Sequence, residues 1–379
     1  MKKNVIFWVV LILINTVIIS FLIFGFIGIY FKNVYYRLKT PSKGWEGALT
    51  EYDAKLGFKY IANAKAFQTC GSKSKIPTYT DENGFRIPIS NMKNQSNEES
   101  LLTLGCSHTH GAALYAKDTF PFLVGDMTGL KVFNGGVCSY GLSQMLIRAR
   151  QLIPKIKPKY LIVQYSPWLI ERSISGFAPI HYGRSPVPYF YKSNDSIKIA
   201  PPLFKAQRLN LTSQKQKFSK TKISKLDYFL FILKFGIPLA VDEIKYCYYK
   251  IASKLGFVPE FGNDDNLDKK MIVKEVYKEI SNLAKKYKVT MIILILRNGH
   301  HANMQDLEMF PKNVTIVDAH TAMLNKLGDH INKESYSKAY WHWKGVPPRI
   351  VDRHPNSKAH KIIAYEIVKK IKELENYSD

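Results

Sequence analysis

Cysteine is scarce: Cys70, Cys106, Cys138 and Cys247 are the only four in 379 residues. A disulfide scaffold in so long a chain would be denser, so the fold must rest on a buried core. This count leaves the cellular compartment open. Acidic residues are also few, 30 Asp and Glu against 55 Lys and Arg, for a formal net charge of +25. That balance favours anionic partners such as phospholipid headgroups, acidic glycans or nucleic acid. Zinc-finger spacing, a basic–aromatic repeat and a helix-turn-helix pattern are all missing, which argues against nucleic acid. No internal repeat is present. Hydrophobic residues, by contrast, make up 46% of the chain, which excludes a disordered protein.

Charge is missing altogether from Val5 to Tyr30, "VIFWVVLILINTVIISFLIFGFIGIY", a run of 26 residues. A helix crossing a bilayer core needs about 20 apolar residues. Asn15, Thr16 and Ser20 interrupt it mildly, and a helix satisfies such groups internally. The run is too long for a signal peptide and lacks a small-residue cleavage site. Residues 1–31 therefore read as an uncleaved, single-pass transmembrane anchor. Lys2 and Lys3 precede it, while Lys32, Arg37, Lys39 and Lys43 follow it. Counted alone, those charges place the following domain in the cytoplasm, but long domains translocate despite them. An extracytoplasmic domain, periplasmic or extracellular, is the expectation. Residues 32–75, polar and broken by prolines, read as a tether and lead-in segment.

Beyond residue 76 five short apolar runs appear: "LLTLG" (101–105), "KVFNGG" (131–136), "KYLIVQYS" (159–166), "TMIILILR" (290–297) and "NVTIVDA" (313–319). They do not alternate, as befits strands buried on both faces. Helix-like segments at 142–157, 266–287 and 356–375 lie between and after them. The alternation predicts a parallel sheet of five strands with helices on both faces, and functional loops at the strands' carboxyl ends. Residues 172–262 break the rhythm with Pro- and Tyr-rich, then basic, then amphipathic text. So long an excursion suits a lid, a binding insertion, a membrane-contacting element or a decorated surface.

Chemistry gathers at three strand ends. Ser107 follows the first strand, where backbone N–H groups at a helix start can face an oxyanion. A serine hydroxyl needs a base to take its proton. His354 sits before Pro355 at the start of the last helix, with Asp352 placed to fix its tautomer. The Gly-rich turn from Asn134 through Gly136 to Ser139 supplies further backbone donors. His108 and His110, two apart on a turn with no third ligand, do not make a metal site; His108 suits a pocket lining. Asn298, at the end of the fourth strand, faces the same side and is a candidate for substrate contact.

These pieces, in this order, resemble the SGNH (GDSL-type) hydrolase superfamily. Gly105-Cys106-Ser107-His108-Thr109-His110-Gly111 matches its first block. Asn134-Gly135-Gly136-Val137-Cys138-Ser139-Tyr140-Gly141 is similar to the second, and Asp352-Arg353-His354-Pro355-Asn356 to the last, with His360 trailing. "YTDENGFR" (79–86) resembles the stretch that often precedes block one. The resemblance covers about residues 76–172 and 265–375. It implies a flavodoxin-like three-layer α/β/α sandwich with a five-stranded parallel sheet. It also implies Ser107 as nucleophile, His354 as base, Asp352 as its orienter, and the N–H groups of Ser107 and residue 139 as oxyanion donors. No cofactor and no metal are implied. Two positions depart from the pattern: Ser139 stands where the family has glycine, and Trp168 lies near where a third block brings an Asn side chain. Gln164 or Asn134 are the candidate replacement donors. The reading is a membrane-anchored esterase or O-acyltransferase acting on acyl, by preference acetyl, esters of an envelope polysaccharide or lipid. The competing reading is an inactive glycan-binding or assembly module that keeps the fold.

Overall fold

The computed structural model describes residue 8 and residues 12–16, 44–69, 75–89, 99–180, 183–194, 196–206, 237–259, 261–262, 267–299, 304–329 and 331–376. Nine strands form the main sheet: β1 (Gly44–Glu46), β2 (Lys65–Thr69), β3 (Lys75–Thr80), β4 (Arg86–Ile87), β5 (Ser100–Leu104), β6 (Lys131–Asn134), β7 (Tyr160–Tyr165), β8 (Thr290–Ile295) and β9 (Thr315–Asp318). Their order is β1-β2-β3-β4-β6-β5-β7-β8-β9. The five strands legible as apolar runs are the last five in that order, and they pair in parallel. The other four are antiparallel and extend the sheet past β6. The expectation of a five-stranded, all-parallel sheet is thus corrected: the sheet has nine strands and is mixed. The added strands come from short polar text, and along β3 the burial alternates, with one face the more covered.

Nine helices are described: α1 (Ser107–His110), α2 (Phe120–Thr128), α3 (Leu142–Ile156), α4 (Pro167–Ile174), α5 (Ile237–Lys254), α6 (Lys269–Lys286), α7 (Ala319–Asn325), α8 (Lys333–Tyr340) and α9 (Ser357–Asn376). Side chains alternate across each central strand, and both sets are buried. Leu102, Leu104, Leu161, Val163, Ile293 and Ile295 pack on α3, α4 and α6. Leu101, Tyr160, Ile162, Ile292 and Leu294 pack on α2 and α9. That is three layers, and it explains why the strand text is uniformly apolar.

Part of the segment read as tether and lead-in is folded. A hairpin of residues 50–53 and 57–60 stands beside the sheet. Its Phe58 and Tyr60 share an apolar cluster with Val137, Tyr140, Ala178 and Val187, so this hairpin, the second block and the insertion pack together. Of the apolar run Val5–Tyr30, only Trp8 and residues 12–16 are described, and these are helical; the rest of the expected anchor lies outside the described residues. Among the described residues no helix is long and apolar enough to cross a membrane.

Candidate active site

β5 ends at Leu104, and the chain turns at Gly105 because nothing larger fits. A Cβ there would stand 2.0 Å from Thr109 Oγ1 and 2.5 Å from Gln164 Oε1. Those two groups hold the turn. Gln164 Oε1 accepts from the Cys106 N–H at 3.1 Å and from Thr109 Oγ1 at 2.7 Å. Its amide nitrogen donates to Ser166 Oγ at 2.8 Å and reaches Cys106 Sγ at 3.3 Å. Gln164 is therefore fully engaged inside the core, which removes it as a replacement oxyanion donor.

The far end of the turn is clamped by a residue whose importance the sequence hides. Arg86 is fully buried and donates to the carbonyls of His110, Gly111 and Leu114. Burial brings its guanidinium down to about 10, still charged at neutral pH. It neutralises the carbonyl end of α1 and fixes where Ser107 points. Replacing it by methionine leaves three buried carbonyls short of a donor, so Arg86→Met should cost about 3 to 5 kcal/mol of stability. Urea unfolding checks this; a shift below about 1 kcal/mol would mean that the clamp is incidental.

Ser107 Oγ lies 2.9 Å from His354 Nε2, and His354 Nδ1 lies 2.6 Å from Asp352 Oδ1. The His354 backbone N–H donates to the same carboxylate oxygen at 2.8 Å. Burial pushes the Asp352 carboxyl upward, but these bonds to His354 outweigh it and bring it down to about 2. An ionised carboxylate at Nδ1 requires the proton on Nδ1, which leaves the Nε2 lone pair facing the serine hydroxyl. The Pro355-Asn356 pair anchors this loop. Asn356 Nδ2 donates to the carbonyls of Ala339 and Trp341, both at 3.0 Å, while its Oδ1 accepts from the Ala359 N–H in the first turn of α9.

The second block lies directly on α1. A Cβ on Gly136 would stand 2.4 Å from the His110 nitrogen, so this glycine serves close approach. Asn134 Oδ1 accepts from the Gly136 N–H at 3.1 Å. Gly136 is thereby removed as an oxyanion donor, and Asn134 acts as acceptor and brace; its Nδ2 is buried without a partner among the described residues. The amides of Gly135, Val137 and Tyr140 go to the carbonyls of Thr103, Gly105 and Val137. Those of Cys138 and Gly141 go to the Tyr60 hydroxyl and Gln144 Oε1. From residue 135 to 141, only the Ser139 N–H is left unspent among these bonds. Ser139 holds φ 69°, the left-handed region in which a non-glycine residue costs about 1 to 2 kcal/mol.

No protein-family model matches the sequence, and no curated protein matches it. Solved structures do. A GDSL-like lipase from Bacteroides thetaiotaomicron is 9% identical with a TM-score of 0.36, over 75% of this chain and 92% of that one. A psychrotrophic esterase from Pseudoalteromonas sp. is 11% identical with a TM-score of 0.32, over 74% and 100%. A catalytic mutant of an acetylxylan esterase from Geobacillus stearothermophilus is 12% identical with a TM-score of 0.33, over 74% and 96%.

The other candidates divide. The His108 ring stands 4.9 Å from Trp168 and 5.4 Å from His354, so these three rings line one side of the serine. Burial, with the nearby charges of His354 and Arg172, keeps His108 neutral, and its Nδ1 has no partner among the described residues. Asn298 Oδ1 accepts from Trp341 Nε1 at 3.1 Å. His110 is buried against the Tyr60 hydroxyl, 3.3 Å away. His360 Nδ1 accepts from the Phe120 N–H at 2.9 Å, which caps α2. Among the described residues no group of His, Cys, Asp and Glu could hold a metal ion. Cys106 and Cys138 are free thiols.

Proposed function

We propose that this protein is a membrane-anchored serine esterase or O-acyltransferase of the SGNH type, acting on acyl esters, by preference acetyl, of a cell-envelope glycan or lipid. One observation carries the reading: a buried serine hydroxyl 2.9 Å from an imidazole nitrogen whose other nitrogen meets a carboxylate held ionised. Ser107 Oγ attacks the ester carbonyl as His354 takes its proton, and Asp352 stabilises the imidazolium. The developing oxyanion is received by the N–H groups of Ser107 and Ser139. His354 returns the proton to the leaving alcohol, an acyl-serine remains, and water or a sugar hydroxyl releases it. Water makes the protein an esterase, and a glycan hydroxyl makes it a transferase. The chemistry needs no cofactor. Val5–Tyr30 serves as the anchor, with the domain extracytoplasmic, and the net charge of +25 suits acidic envelope polymers or lipid.

The competing reading, a glycan-binding or assembly module, draws on one feature. Gln164, one of the two candidate replacements for the third-block Asn, is spent in the core, and one lost oxyanion donor costs about 2.7 to 4 kcal/mol. A fluorophosphonate probe on the full chain in detergent decides between them. The expected result is an adduct on Ser107, located by mass spectrometry and lost in His354→Ala. A folded protein that takes no label would mean the binding module.

A further inference from the structure

Helix α5, inside the insertion, turns an apolar face outward. Ile237, Val241, Ile244, Tyr248 and Ile251, with Leu255 just past the helix end, are each 36 to 68% exposed. At about 100° per residue they fall within an arc of about 80°. Phe257, beyond the helix end, is 79% exposed. The opposite face is occupied: Leu239, Asp242 and Ser253 are buried, and Tyr246 and Tyr249 pack on Phe177 and Phe204. The helix is therefore seated on the protein by its more polar face, the reverse of what a solvated surface helix does. So long an unbroken exposed stripe marks a contact with something apolar.

We propose that this stripe of α5 lies in the surface of an anionic lipid bilayer. The charges beside it favour lipid over a protein partner. Lys254 flanks one edge, with Lys250 and Glu243 behind it, and Lys245 stands beside the other edge with its ammonium over the Phe204 ring. Lysines in that position lay their stems along the apolar layer and their ammonium groups among headgroups, whereas the cores of protein interfaces are poor in lysine. The chain as a whole carries +25, which draws it to a negatively charged surface, and the stripe selects the face that meets it. The contact also bears on the site. The segment after α5 returns to α4, where the Gly262 N–H donates to the Ile174 carbonyl at 3.0 Å and Phe261 packs on Phe177. α4 opens with Trp168, beside His108 and Ser107. A membrane-seated α5 thus holds the serine near whatever is built at that surface. This inference depends neither on ester chemistry at Ser107 nor on the run Val5–Tyr30.

The test uses the full chain reconstituted into vesicles of phosphatidylcholine with phosphatidylglycerol. Cys70 and Cys247 are replaced by serine, and a spin label is placed at Ile244→Cys or Ile251→Cys. Residual labelling of the parent chain is subtracted. Lys198→Cys provides a water-exposed control, and Leu13→Cys reports on the N-terminal run separately. Collision with a water-soluble nickel chelate should fall severalfold at positions 244 and 251 while collision with oxygen rises. The change should shrink in vesicles of phosphatidylcholine alone. Unchanged nickel access at 244 and 251 would overturn the proposal whatever Leu13→Cys shows. A fall in both nickel and oxygen access would overturn it too, because protein would then cover the stripe, whether a second copy or the apolar segment 226–236 of the same chain.

Discussion

Ser107→Ala is expected to slow ester turnover by a factor on the order of 10⁶, and Asp352→Asn by about 10⁴. The two differ because the serine forms the covalent bond, while the carboxylate acts only through His354. Its loss releases the Nδ1 proton from the 2.6 Å contact and frees the ring to take the wrong tautomer. His354→Ala should match the serine variant. The double variant Ser107→Ala/His354→Ala should be scarcely worse than either alone, since a base without a nucleophile does nothing. Initial rates on an activated acetyl ester read all four. Additive losses, or a serine variant within tenfold of the parent, would show that hydrolysis happens elsewhere. The starting rate itself should be modest. With Gln164 spent in the core, the Ser107 and Ser139 amides lack it as a side-chain partner, and one missing oxyanion donor lowers the rate about 100- to 1000-fold.

How much of this was legible depended on whether a residue's partners are near in the sequence or of recognisable type. The five central strands could be read because burial on both faces forces uninterrupted apolar text, and α3, α6 and α9 because they are long and periodic. The strands from residue 44 to 87 could not, since runs of two to six mostly polar residues look like lead-in text. Asp352 and His354 stand two apart, and a proline follows, so their pairing was visible. Their contact with a serine 247 positions away was visible only through the order of the blocks. Gln164 misled for a simple reason: a central-strand glutamine looks like a spare donor until its contacts with Cys106, Thr109 and Ser166 are known. Arg86 was hidden more deeply. An arginine in polar text reads as solvated, and only the fold shows three carbonyls converging on it. The signal that could have found it is its place at the end of "YTDENGFR", the stretch just before block one.

Acid should unfold this protein early, and through histidines rather than carboxylates. His108, His110 and His360 are buried, and burial, with the charge of Arg86 or neighbouring imidazoles, holds all three well below the ordinary 6.5. A group depressed in the folded state takes its proton only on unfolding, so each removes stability as pH falls below about 6.5. Three such groups make about 4 kcal/mol per pH unit. Against a domain stability of about 5 to 15 kcal/mol, that brings unfolding within one to several pH units of neutrality. Asp352 cannot be the cause. Its stabilisation is present above the unfolded value near 3.8 and is lost only as pH falls through about 2, well below the histidines' window. Urea midpoints at pH 8, 7, 6 and 5 should be level at first and then fall steeply. His360→Asn, whose side-chain oxygen can still accept from the Phe120 N–H, should remove about a third of the slope. A midpoint unchanged between pH 7 and 5 would mean that the three rings admit water or charge freely, and that the packing around Ser107 is looser than the structure has it.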